Sequence, residues 1–328
     1  MRHSRLGSVR KVSAEARVGL VFGFAIGAGV AVQARINGAL GARLEDGVAA
    51  AVISFGAGFV VLAVAFAVSG RLREGGRRVR RALSEGVLRP WQLLGGLCGA
   101  FFVACQGLTV AAIGVTAFTV AAVAGQLLSS LVVDRLGLGP SGRTPVTTVR
   151  LVGAALGVVA VLVAGFGHTR VSGGLSVPDA LRGTPTALLI VLPALAGIGL
   201  AWQQAVNGKV GVVGGSLSAA MVNFCAGLAA LLVIEAVVVA SSGGPAEFPT
   251  EPWLYLGGFI GVAFIALAAL TVRWIGVLLL GLTSVAGQLL VSVILDVLTP
   301  TSAGLSATAI VGCALTLVAV AIATRSQS

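Results

Sequence analysis

The sequence predicts an all-α integral membrane protein with ten transmembrane helices arranged as two inverted five-helix repeats. Three observations predict this fold class: an apolar composition, an internal duplication, and an odd number of spans in each duplicated half. Of the 328 residues, 57% are hydrophobic and only 10% are charged, and the mean hydropathy is +1.04. A soluble domain carries about 25% charged residues. This chain therefore lacks the polar groups that would cover a water-exposed surface.

The spans follow from apolar runs, because about 20 residues in a helix cross a ~30 Å hydrocarbon core. The uncharged segment from Trp91 to Val133 is twice as long as one span needs, so we divide it near Gly114. Its later counterpart is divided at Arg273. The predicted spans cover about residues 18–37, 48–68, 91–113, 115–133, 149–165, 186–206, 217–240, 253–272, 274–295 and 305–323.

The basic residues predict the orientation, since cytoplasmic loops are enriched in Lys and Arg. With the N-terminus inside, the tail, the basic linker at 71–89 and the later inner loops hold eighteen of the 22 basic residues. The predicted outer segments hold the other four, which are Arg35, Arg43, Arg170 and Arg182. We therefore expect a multi-pass protein of the plasma membrane with both termini cytoplasmic. We attribute the net charge of +11 to basic cytoplasmic loops. We therefore expect membrane lipid, and not nucleic acid, as the partner.

The duplication is inferred from one stretch that occurs twice, Ala-Gly-Gln-Leu-Leu followed by an Asp six residues after its last Leu. The copies lie at 124–134 and 286–296, and the surrounding segments Trp91–Leu136 and Trp253–Leu298 align without a gap and are identical at nearly half of their positions. We divide the chain into a first repeat at 1–167, an outer connector at 168–185 and a second repeat at 186–328. Because five spans is an odd number, the second repeat enters the membrane in the opposite sense. In secondary transporters, inverted repeats place the substrate site near the midplane.

The paired motifs also carry a family resemblance. Each half has Gln-x-x-x-Asn-Gly at the end of its first helix (Gln33–Gly38 and Gln203–Gly208) and Ala-Gly-Gln-Leu-Leu near the end of its fourth. This arrangement resembles the YdcZ-type inner-membrane exporters, an EamA-like family of the drug/metabolite transporter (DMT) superfamily. The resemblance covers nearly all of residues 18–323. It implies a DMT-like fold in a bacterial inner membrane and export of small metabolites or drug-like compounds, and it supplies no catalytic or substrate signature.

Amide side chains within the spans are the candidate substrate-binding residues. Gln126 and Gln288 lie near mid-bilayer, where an unpaired amide costs several kcal/mol. They either join helices by hydrogen bonds or face a central cavity. The other candidates form two pairs on one helix face each, which either take part in two gates or cap helix ends. These pairs are Gln33 with Asn37 and Gln203 with Asn207.

Acidic residues are few. Glu235 lies within a span, and an acidic residue there is a candidate functional residue. It either binds a proton or a cationic substrate during transport, or its side chain reaches the outer interface. Asp134 and Asp296 end their helices on opposite sides, and we expect both to be solvated helix ends.

Three function classes remain open on the sequence. The inverted repeat favours a secondary transporter that binds a small molecule, as a monomer or a homodimer. A membrane-embedded enzyme would need clustered acids, His or Cys, and we expect no catalytic residue, cofactor or metal. A non-transporting membrane component is the other alternative.

Overall fold

The computed structural model describes residues 14–140, 142–143, 145–166, 186–245, 247–298 and 307–325. Most of the basic tail and the whole predicted connector at 168–185 lie outside these residues. Within them the chain forms nine α-helices and two short 3₁₀ helices, at Pro90–Leu93 and Pro252–Tyr255. The α-helices are α1 (Ala14–Leu44), α2 (Gly47–Val68), α3 (Gly70–Ser84), α4 (Gly95–Leu136), α5 (Thr148–Phe166), α6 (Thr186–Gly214), α7 (Ser216–Ser242), α8 (Gly257–Leu298) and α9 (Ala307–Arg325).

The helices have the length and surface of a membrane protein. Among the described residues, five helical segments are long and apolar enough to cross a bilayer: Arg17–Leu44, Gly47–Val68, Pro90–Leu136, Leu189–Gly214 and Ser216–Ser241. Large apolar side chains on their outer faces are exposed, for example Val233 at 67% and Val68 at 79%. Water disfavours such surfaces and lipid accepts them. The predicted class of helical membrane protein is therefore confirmed.

The predicted division at Gly114 is confirmed. α4 contains 42 residues, and at Gly114 its backbone leaves the helical region with φ 81° and ψ 162°. An L side chain rarely adopts this conformation, whereas glycine adopts it readily. The break divides α4 into two segments of about one membrane span each. The predicted junction at Arg273 lies within α8, where the side chains of residues 272–279 are outside the described part of the chain.

The basic linker at 71–89 contains a helix that the sequence analysis missed. α3 is a 15-residue amphipathic helix whose buried residues are Gly75, Val79 and Ala82. Its arginines are exposed. The helix contains three Gly residues and many arginines. Its apolar face is therefore recognised only when residues are compared at the 3.6-residue helical period.

Helix packing pairs elements of the two predicted repeats. α4 packs most extensively on α6 and α1 packs most extensively on α8, while α5 packs on α9 and α2 on α7. In the duplication α1 corresponds to α6, α2 to α7, α4 to α8 and α5 to α9. Exchanging corresponding helices therefore converts the α4–α6 contact into the α1–α8 contact and leaves the α5–α9 and α2–α7 contacts unchanged. α4 forms the centre of the core, with Phe118, Ile113 and Val110 almost fully buried.

Loops predicted for the same side of the membrane contact each other. At the predicted outer side, Arg43 in the last turn of α1 forms an ion pair of 3.0 Å with Glu251, which directly precedes the 3₁₀ helix before α8. At the predicted inner side, Arg78 Nε of α3 donates to the carbonyl of Val213 at the end of α6, at 3.1 Å. These contacts agree with the predicted assignment of the loops to two sides.

Candidate functional site

The first helix seam is formed where α1 crosses the start of α8. Gln33 Nε2 donates to the carbonyl of Gly257 at 2.9 Å. A Cβ added at Gly257 would lie 2.3 Å from Asn37 Oδ1, and one at Gly261 would lie 3.0 Å from Gln33 Nε2. The two amides therefore occupy the space that larger residues on α8 would fill. We call this contact of Gln33 and Asn37 with Gly257 and Gly261 the α1–α8 seam.

The equivalent residues of the second repeat form a matching contact, the α4–α6 seam. Gln203 and Asn207 on α6 face Gly95 and Gly99 on α4, where an added Cβ would lie 2.7 Å from Asn207 Oδ1 or 2.8 Å from Gln203 Nε2. Each motif of one repeat thus packs on the glycines that begin the long helix of the other. The predicted amide pairs are brought together with the opposite repeat and do not merely cap helix ends.

A third polar residue in each seam was missed by the sequence analysis. In the α4–α6 seam, Gln203 Nε2 and Asn207 Nδ2 both donate to Oδ1 of Asn223 on α7, at 2.9 and 3.0 Å. In the α1–α8 seam, Asn37 Nδ2 donates to Oε1 of Gln106 on α4, at 2.7 Å. Gln106 and Asn223 are isolated amides within apolar helices, the same signal that selected Gln126, and applying it to every span would have found them.

The seams contain buried polar atoms without a protein hydrogen-bond partner. Asn37 and Gln106 have no exposed surface. Yet Asn37 Oδ1 and Gln106 Nε2 have no hydrogen-bond partner among the residues that the structure describes, and neither has Gln203 Oε1. An unsatisfied buried polar group costs about 1–3 kcal/mol, and most such groups in proteins are satisfied. These three atoms offer acceptors and a donor to a ligand or to water.

Between the seams, α2 crosses α7 through an aromatic pair. The ring centroids of Phe55 and Phe224 are 4.9 Å apart with an interplanar angle of 39°. A Cβ at Gly58 would lie 2.2 Å from the Phe224 ring, and one at Gly227 would lie 2.3 Å from the Phe55 ring. Each phenylalanine thus lies over a glycine of the facing helix, in positions that the duplication relates.

Gln126 and Gln288 lie on separate helix seams. Gln126 Nε2 donates to Gln204 Oε1 on α6, at 3.0 Å. Gln288 is 9% exposed, and its backbone nitrogen would lie 2.7 Å from a Cβ added at Gly27 on α1. The hydrogen bond of Gln126 corresponds to the helix-joining alternative of the sequence analysis. The structure does not bring Gln126 and Gln288 together through a hydrogen bond of the described residues.

The expectation that Asp296 is a solvated helix end is wrong. The residue is 3% exposed, and its carboxylate accepts hydrogen bonds from the backbone N–H groups of Val115 at 2.9 Å and Thr116 at 2.7 Å. These are the first residues after the break at Gly114. Asp296 of α8 thus caps the second segment of α4, where unpaired N–H groups and the helix dipole favour a negative charge. The sequence does not predict this contact, because the partners are about 180 residues apart.

Glu235 lies on α7 among exposed apolar neighbours, including Val233 and Val237. Its side chain is half-buried, and its Oε2 atom is buried with no hydrogen-bond partner in the described part of the chain. Asp46, which caps α2 at the predicted outer side by accepting from the N–H groups of Val48 and Ala49, is near enough to act on it electrostatically. The placement agrees with a position towards the outer end of α7.

Two surface cavities are lined by residues of loops that are predicted for opposite sides of the membrane. One has a volume of ≈460 Å³ and is lined by Arg135, Arg143, Pro145 and Val146. The other, of ≈250 Å³, lies at the predicted outer loops beside Arg43 and Glu251. Neither is lined by a candidate amide. Among the described residues no group of His, Cys, Asp and Glu side chains is arranged to hold a metal ion.

Comparisons with known proteins agree with the paired architecture. The model of the family described as "Putative inner membrane exporter, YdcZ" matches residues 18–163 and again residues 188–322. One solved crystal structure of a protein has a similar fold over 95% of this chain and 99% of its own, with a TM-score of 0.52 and 20% sequence identity. That likeness concerns the fold alone. No curated protein is significantly similar in sequence.

Proposed function

Because the chain belongs to the YdcZ family of inner membrane exporters, we propose that it is a secondary transporter that exports small metabolites or drug-like compounds by alternating access. The membrane is the plasma membrane of a bacterium, with both termini in the cytoplasm. The chain crosses it ten times, as two inverted repeats at 1–167 and 186–328 joined by an outer connector. It acts without a cofactor and without enzymatic chemistry.

The observation that carries this proposal is the reciprocal packing of the two amide seams. Alternating access requires two equivalent barriers on opposite sides of one site, each of which opens while the other stays closed. The α1–α8 seam and the α4–α6 seam are such a pair, since each joins the first helix of one repeat to the long helix of the other. In the predicted topology, the first lies towards the outside and the second towards the cytoplasm.

The substrate site in this proposal lies between the two seams, beside Phe55 and Phe224. Its polar contacts come from the unsatisfied atoms of Asn37, Gln106 and Gln203. Aromatic rings with a few fixed amide donors and acceptors are typical of small-molecule sites. Gln126 and Gln288 extend the site along the neighbouring seams, and Glu235 is the candidate for coupling to a proton.

Reconstitution into liposomes tests the transport function. A panel of small metabolites and cationic dyes is loaded, and release is followed with and without a pH gradient. We expect gradient-dependent movement of at least one solute by the wild type and by Gly56→Ala, a change into open space. Gly99→Leu, whose side chain would collide with Gln203, is expected to be inactive.

The same experiment separates the alternatives. Equal leak from wild-type and protein-free liposomes across the whole panel would favour a non-transporting membrane component. Chemical conversion of a solute without its movement would favour a membrane-embedded enzyme.

A further inference from the structure

The exposed arginines of α3 form a strongly charged surface that the transport cycle does not use. Residues 71–89 hold seven arginines and two glutamates. Arg73, Arg77 and Arg80 are spaced four and three residues apart, so they lie on one face of the helix, and all three are exposed. We call these three residues the arginine stripe.

The position of α3 places the stripe at the membrane surface. α2 ends at Val68, and Ser69 both ends α2 and caps α3: its N–H donates to Ala65 and its Oγ accepts from the N–H of Leu72. One residue thus separates a membrane span from the basic helix. A cationic helix this near the bilayer lies within one Debye length of the lipid headgroups, about 8–10 Å.

Arg73 shows which side of α3 faces the lipid. Its Nη1 donates to the carbonyls of Phe66 and Ala67 in the last turn of α2. This end of α2 exposes apolar side chains, as a lipid-facing surface does: Val64 is 58% exposed and Val68 is 79% exposed. The guanidinium of Arg73 therefore lies where the apolar surface of α2 ends, and Arg77 and Arg80 continue from it along α3.

The opposite face of α3 is fixed on the protein. A Cβ at Gly75 would lie 2.3 Å from the carbonyl oxygen of Gly214 and 2.4 Å from Ser218 Oγ, and Val79 and Ala82 belong to a buried cluster with Val210 and Ala219. The apolar face of α3 is thus covered by the ends of α6 and α7. Because that face is covered, α3 does not insert it into the bilayer, and its arginines are held in one orientation.

We propose that the arginine stripe binds the headgroups of anionic phospholipids. Guanidinium groups form paired, charge-assisted hydrogen bonds with phosphate oxygens, and basic segments next to a membrane span attract anionic lipids. Glu74 accepts hydrogen bonds from Arg77, and one carboxylate against three guanidinium groups leaves the stripe with a net positive charge. The proposal requires no transport activity.

The test compares thermal unfolding of the full chain in nanodiscs of phosphatidylcholine alone and with added phosphatidylglycerol. We expect the anionic lipid to raise the Tm of the wild type and of Arg77→Lys/Arg80→Lys, but not that of Arg77→Gln/Arg80→Gln. Native mass spectrometry should show the preference for bound phosphatidylglycerol falling about fivefold for each arginine removed. Arg80→Gln alone leaves the Arg77–Glu74 pair in place, and its about fivefold loss is measurable even if the double variant does not fold.

The control Arg135→Gln/Arg143→Gln removes the same charge from the other basic surface on the predicted inner side. Retained lipid stabilisation in this control supports a site on α3, and an equal loss would overturn it in favour of a general effect of net charge. Inorganic phosphate added to phosphatidylcholine nanodiscs is the second control. If it raised the Tm as much as the anionic lipid, or if the wild type did not respond to the lipid, the proposal would be wrong.

Discussion

The ring of Phe224 lies over Gly58 of α2, and the ring of Phe55 lies in the same way over Gly227 of α7. The duplicated helices therefore cross at a close contact that uses the same two residue types from each side. This crossing lies between the α1–α8 and α4–α6 seams and joins the two repeats there.

Gly58→Ala should destabilise the protein. The added methyl group would lie 2.2 Å from the Phe224 ring, and overpacking of this kind costs about 1–3 kcal/mol. Gly56→Ala, two residues away, meets nothing within 4 Å and is the matched control. Thermal unfolding of the purified protein in detergent should show a lower Tm for the first variant only. Equal Tm values would show that the contact between α2 and α7 accommodates the added methyl group without loss of stability.

Asp296→Asn should weaken the junction between the break in α4 and the end of α8. Hydrogen bonds to a charged group are worth about 1.5–3 kcal/mol, and the amide replaces one carboxylate oxygen by a donor that faces an N–H group. Asp46→Asn is the comparison, because Asp46 accepts two similar hydrogen bonds at the more exposed start of α2. We expect the larger fall in Tm for Asp296→Asn. A larger fall for Asp46→Asn would contradict a special role for the buried cap.

The pair Asn37 and Gln106 can separate a helix-joining role from a substrate-binding role. Either single change to Leu leaves a buried amide without its partner, which should cost about 1–3 kcal/mol, whereas the double change removes both polar groups and should recover most of the stability. If the amides bind substrate, the stable double variant is still inactive in liposomes. Normal transport by the double variant would show that the pair only joins α1 to α4.

Glu235→Gln tests proton coupling. The change removes a charge whose Oε2 atom is buried without a partner, so the variant should fold at least as stably as the wild type. We expect its transport to lose its dependence on external pH. An active variant with the wild-type pH profile would eliminate Glu235 as the coupling residue.

The orientation can be checked by labelling introduced cysteines in intact cells with a membrane-impermeant maleimide. Phe248→Cys lies in a loop predicted outside, where the native side chain is 64% exposed, and should be labelled. Ser84→Cys, at the exposed end of α3, should react only after the cells are opened. The reverse pattern would place both termini outside.

The sequence was most informative where a pattern was local. The length of the uncharged segment around Gly114 predicted the break in α4, and the paired Gln and Asn positions selected the residues that form the two seams. Contacts between distant helices were not predictable in this way. Asp296 looked like an ordinary helix end, because nothing near it in sequence indicates that it caps α4. Gln106 was missed because it lacks a counterpart in the second repeat.

In the proposed alternating-access cycle, that missing counterpart makes the inward- and outward-open forms unequal. A transporter made of two equal inverted halves has inward- and outward-open forms of equal free energy, since exchanging the halves converts one form into the other. Position 268, which aligns with Gln106, is alanine and offers no acceptor to the second repeat. The hydrogen bond between Asn37 and Gln106 therefore stabilises one seam only, and the two hydrogen bonds that Asn223 accepts stabilise only the other. The two forms then differ in free energy by the imbalance between these unduplicated amides.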